Sequence, residues 1–159
     1  MRTTTTRRAA ALTTCGLLLA SGATATAAQA ASYRGKTSGG SSIGFSLSGK
    51  RISRISTTVP TSCVETTGSF ATTAGAELFQ PPGSFTVGRT SKVKALQPAA
   101  MNQAIKATKN YTVTTRTAGR GRIGGKLAVN FSYLRPGASI YQSYVWICSG
   151  SASFTAKAR

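Results

Sequence analysis

From Ile43 onward the chain alternates apolar and small polar residues one by one, in short runs that glycine and proline keep interrupting. Ile43, Phe45 and Leu47 alternate with Gly44, Ser46 and Ser48, the period-two pattern of a strand with one face in a core and the other in water. Ser48-Gly49-Lys50 follows and reads as a hairpin turn, because glycine adopts the positive φ that tight hairpins need. Residues 52–59, rich in Ile, Thr and Val, form the expected return strand. Pro60 has no N–H for a ladder, so the strand is expected to break or reach an edge there. A further short strand should carry Cys63, followed by a polar loop over 66–75.

The same pattern continues downstream. Residues 76–79 and 84–87 are strand candidates on either side of the turn Pro81-Pro82-Gly83. Over 97–109 the period changes: Pro98 suits the first turn of a helix, and Met101, Ala104, Ile105 and Thr108 share a helical face. One short helix is therefore expected. Tyr111, Val113 and Thr115 alternate over 110–117, and Leu127, Val129, Phe131 and Tyr133 over 126–134. After the turn signal Arg135-Pro136-Gly137, residues 141–148 are apolar on both faces, as in a central strand covered on both sides. Ser149-Gly150 reads as a turn before a last strand over 153–156. About eight short strands with intervening turns predict an all-β fold, an antiparallel β-sandwich or partly closed barrel.

The first thirty residues differ in character. A basic head with Arg2, Arg7 and Arg8 precedes an apolar stretch centred on Leu17-Leu18-Leu19, and Ala28-Gln29-Ala30 closes it. This is the make-up of a cleavable export signal, with cleavage expected after Ala30. The domain that remains is 31–159, the length of a single unit. Arg2, Arg7 and Arg8 leave with the signal, so 17 cations face two glutamates, a net charge of +15. Cys15 leaves too. Cys63 and Cys148 then form an even pair in an oxidising compartment, which favours a disulfide over two buried thiols.

Composition removes most catalytic chemistry. The chain has no histidine and no aspartate, which excludes the Ser-His-Asp and Cys-His centres and histidine metal sites. Two glutamates are too few for a calcium or magnesium cage. No metal and no cofactor is expected. Two enzymatic routes survive: Glu65 with Glu77 as an acid–base pair, against the plainer reading of two surface glutamates, and a Ser-Lys centre.

Gly119-Arg120-Gly121-Arg122-Ile123-Gly124 matches G-x-G-x-x-G, but a dinucleotide site needs a helix after it and an acid further on. A strand pattern follows instead, and no acid does, so the segment reads as a glycine-rich hairpin loop. Arg116, Arg120, Arg122 and Lys126 place four cations on and beside it, the candidate anion-binding residues. The excess charge must attract polyanions in a salt-dependent way. The expected partners are an acidic cell-envelope polymer or an anionic lipid surface. Scattered cations and core-patterned aromatics give no support for specific nucleic-acid recognition.

The segments Tyr33-Arg-Gly35-Lys-Thr37-Ser38-x-Gly40 and Ile43-x-Phe45-x-Leu47-Ser48, then Cys63, and Cys148-x-x-Ser151 before Phe154-Thr155-Ala156, resemble a group of small exported proteins of actinobacteria. The resemblance implies a disulfide-linked β-sandwich and export. That group has no assigned activity, so no site residue carries over. A secreted inhibitor or ligand-binding module, acting through loops on a rigid scaffold, is the alternative functional expectation.

Overall fold

The computed structural model describes residues 30–66, 68–99, 102–136 and 143–159. The expected export signal, the turn at Gly137 and Tyr141 lie outside the described residues. Nine strands form one antiparallel sheet: β1 (Ala31–Thr37), β2 (Ser42–Ser48), β3 (Arg51–Glu65), β4 (Thr72–Phe79), β5 (Ser84–Thr86), β6 (Thr90–Ala99), β7 (Asn102–Thr117), β8 (Arg122–Pro136) and β9 (Ser143–Ala158). Their order is β4-β3-β2-β1-β9-β8-β7-β6, with β5 beside β4 on the free edge of β3. The all-β, antiparallel expectation holds, and no described residue is helical.

The sheet curls until its two ends face each other across one core. Phe79 of β4 meets Tyr111 of β7 edge to face, with ring centroids 5.0 Å apart. Ile52, Val59, Val113, Leu127 and Val129 are fully buried between the ends. Tyr33 stacks on Phe45 at 5.2 Å, and Phe45 meets Phe154 edge-on at 6.1 Å. Alternation supplies these residues, because every second side chain of a strand points inward. On β3 the phase slips once. Arg54 has a φ of 55°, and the pairing with β2 jumps from Ser53↔Ser46 to Ser56↔Gly44. This bulge puts Ile52 and then Ile55, three residues on, against the same core.

β3 and β9 part around the β1–β2 hairpin. The first half of β3 pairs with β2 and the second half of β9 with β1. Beyond the hairpin tip the two long strands pair directly, Thr61↔Gly150 to Glu65↔Trp146. At the vertex Cys63 and Cys148 are register partners, fully buried and disulfide-bonded. The bond closes a separation of 85 residues, worth roughly 4 kcal/mol of lost unfolded-chain freedom in the entropic account. Trp146 lies on the same inward face.

Several local expectations are corrected. Residues 97–99 end β6 and residues 102–109 begin β7, with Pro98 paired to Lys106; Met101 of the expected helical face lies outside the described residues. The helical spacing there is overridden by pairing of β7 with β6, joined by β8 from Lys109 onward. Pro60 does not end β3. It sits in the interval where that edge changes partner from β2 to β9, and Pro60 itself packs beside Gly39 at the hairpin tip. Ser149-Gly150 is not a turn, since β9 runs unbroken. Gly150 is there because β3 crosses close by: a Cβ would stand 2.4 Å from the Pro60 carbonyl oxygen. The expected loop over 66–75 already becomes β4 at Thr72. β9 is central, paired on both edges, but its second face meets solvent, with Ile147 53% exposed.

Candidate functional site

Both acidic side chains are buried, contrary to the surface placement expected. Glu77 is 1% and Lys109 2% exposed, and they form an ion pair across the core between β4 and β7. The Lys109 ammonium also donates to the Pro98 carbonyl and lies 5.6 Å from the centroid of the Phe131 ring. Tyr111 shares this region; burial, with the Glu77 charge adding, pushes its phenol up to about 12. Glu65 is 6% exposed and accepts a hydrogen bond from Ser69 Oγ at 2.9 Å.

The register separates the two carboxylates. Glu77 is opposite Val59 on β3, six positions before Glu65, roughly 20 Å along a strand at about 3.3 Å per residue. A glycosidase pair needs about 5–9.5 Å. Glu65 and Glu77 are therefore not such a pair. Lys109 is held by Glu77 rather than by a serine. Among the described residues no three potential metal ligands of the His, Cys, Asp or Glu type cluster.

The cations are organised differently. G-x-G-x-x-G forms the β7–β8 hairpin turn, in which Arg122 N–H donates to the Gly119 carbonyl at 2.9 Å. Gly119, Arg120 and Gly121 have φ of 69°, 45° and 69°, so the turn is of the primed kind that suits a hairpin's twist. Two glycines adopt this freely, whereas Arg120 does so at a cost.

This turn meets two others at one end of the molecule. Val87 N–H donates to the Lys50 carbonyl at 2.9 Å, Gly88 N–H to the Thr115 carbonyl at 3.0 Å, and Thr115 N–H to the Arg89 carbonyl at 3.2 Å. Thr115 Oγ1 adds a bond to the Thr86 carbonyl at 3.2 Å. The β2–β3, β5–β6 and β7–β8 turns thus frame a cleft of about 560 Å3. Lys50, Arg116, Arg120 and Arg122 line it, all exposed. Its floor is apolar: Leu47 and Val87, half-buried, and Tyr33 and Ile123, which close the core at this end.

Three of the four expected anion-binding residues therefore come together. Lys126 does not join them; it is exposed on β8, opposite Thr114 and Ser153. Lys50 is the residue that sequence reasoning missed. Its turn was legible, but which end of the sheet that turn occupies depends on counting every strand. No carboxylate side chain lines the cleft. A separate feature is an outer-face row in which Val64, Ile147 and Leu96 stand exposed across the sheet beside Leu134. No helix of the described residues is long and apolar enough to cross a membrane. Set against protein-family models, curated proteins and solved structures, the chain matches none of them.

Proposed function

We propose that this chain is an exported, strongly basic, non-catalytic β-domain that associates with acidic cell-envelope components or other extracellular polyanions through the cationic end of its sheet. The observation that carries this reading is the convergence of Lys50, Arg116, Arg120 and Arg122 on one rim, with both glutamates buried elsewhere. Four cations side by side repel one another, and an incoming polyanion relieves that repulsion. Arginine suits the task because its planar fork binds phosphate and carboxylate oxygens in pairs.

Retention on isolated cell envelope, measured across a salt series, tests the reading. Replacing Arg116, Arg120 and Arg122 with Gln is expected to reduce retention at least tenfold and to flatten its salt dependence. Lys126→Gln, away from the cleft, is the matched control and should change little. Equal retention of the triple variant and the parent would remove the rim from the account.

A further inference from the structure

A rim that only had to attract a polymer would need no apolar floor. Here the cations surround a recess whose base is Leu47, Val87 and the ends of the core at Tyr33 and Ile123. Its volume, about 560 Å3, lies within the range of small-molecule sites. Backbone bonds tie the β5–β6 turn to Lys50 on one side and to Thr115 of β7 on the other, so this side of the recess is in place before anything binds, which lowers the ordering cost of binding.

We infer that the cleft binds one amphiphilic anion: a phosphate or carboxylate head held by Arg116, Arg120 and Arg122, with the first part of an apolar chain laid on Val87 and Leu47. The inference rests on the anion-binding reading above and names the ligand class for the same rim. Free alkyl phosphates and fatty acids share this chemistry with the head-group region of an anionic lipid.

Calorimetric titration of the purified protein with inorganic phosphate and with butyl, hexyl and octyl phosphate, all kept monomeric, tests it. The expected result is one-to-one binding that tightens about fourfold for each methylene added, as burial of a CH2 group implies. Val87→Asn should weaken octyl phosphate at least tenfold and leave the affinity for inorganic phosphate unchanged. Leu47→Asn provides a second floor variant should the first fail to fold. Displacement of octyl phosphate by phosphatidylglycerol vesicles, but not by phosphatidylcholine vesicles, would assign the site to a bilayer lipid. Absence of displacement would assign it to a free amphiphile, and the inference stands in either case. Affinity independent of chain length would overturn it while leaving the polyanion reading intact. Loss of envelope retention in the arginine variants without any octyl phosphate binding would have the same meaning.

Discussion

The buried ion pair between Glu77 and Lys109 permits a quantitative test of how this core tolerates charge. An ammonium has three N–H donors; here one is met by Glu77, one by the Pro98 carbonyl, and the Phe131 ring lies alongside. Glu77→Leu removes the countercharge and leaves a cation, 2% exposed, facing one neutral carbonyl and a ring. Breaking such a pair from one side costs about 3–5 kcal/mol, and Lys109→Met, which takes the cation from the carboxylate, has a similar expected cost. The double variant replaces both groups with apolar chains of comparable volume, a change that is often neutral or stabilising. The Pro98 carbonyl then loses its donor, at about 1–3 kcal/mol. The double variant should therefore lie within about 3 kcal/mol of the parent, and the coupling energy of the cycle should be roughly 3 kcal/mol or more. Urea unfolding with the disulfide intact, followed by tryptophan fluorescence, measures all four species. Single variants that each cost under about 1 kcal/mol, or a double variant that equals their sum, would refute the reasoning.

Four further outcomes are expected. Replacing Cys63 and Cys148 together with Ala should lower stability by about 2–5 kcal/mol, read as a fall in the urea midpoint; a loss below 1 kcal/mol would mean that β3 and β9 hold together without the bond. Tyr111 is neutral at about pH 7, and its folded value near 12 lies above the ordinary 10. The folded state thus binds the proton more tightly, and stability should fall between pH 10 and 12 by roughly 1 kcal/mol per unit, a slope that Tyr111→Phe should lessen. Arg120→Asn, better suited to a positive φ, should raise stability by up to about 1 kcal/mol while weakening envelope retention; a loss of stability would mean that Arg120 is not strained. Gly150→Ala should cost about 2 kcal/mol or more, because its methyl would meet the Pro60 carbonyl, and an unchanged thermal midpoint would contradict the close crossing.

Alternation made β2, the second half of β7 from Asn110 and most of β8 legible, since each has one inward and one outward face. β6 was not read as a strand, although Lys92 and Lys94 alternate with Val93 and Ala95. The inward residues there are small and only half-buried, which dilutes the period-two signal. Residues 97–109 misled for the opposite reason: their spacing fits a helix locally, and only pairing with neighbouring strands decides otherwise. The local part of the cationic rim was visible because Arg116, Arg120 and Arg122 share one hairpin. Lys50 was not, because placing the β2–β3 turn beside the β7–β8 turn requires β6 to be present. The burial of Glu77 depends on Lys109, 32 residues away, a partnership that no local pattern announces.

The two ends of the described residues run side by side: Tyr33 is opposite Ala158, and Arg159 N–H donates to the Ser32 carbonyl at 3.0 Å. A pull applied at both ends therefore opens β1 from β9 like a zipper, one rung after another, rather than loading all the rungs together. The tear can travel only as far as the covalent link between Cys63 and Cys148, which carries the tension directly from one strand to the other. Everything between those two cysteines, including the hairpin that bears Arg116, Arg120 and Arg122, is shielded from the load. A domain tethered at either end would keep its three-arginine hairpin out of the load path under strain that had already stripped away its first two strands, and with them the Tyr33 and Leu47 floor of the cleft.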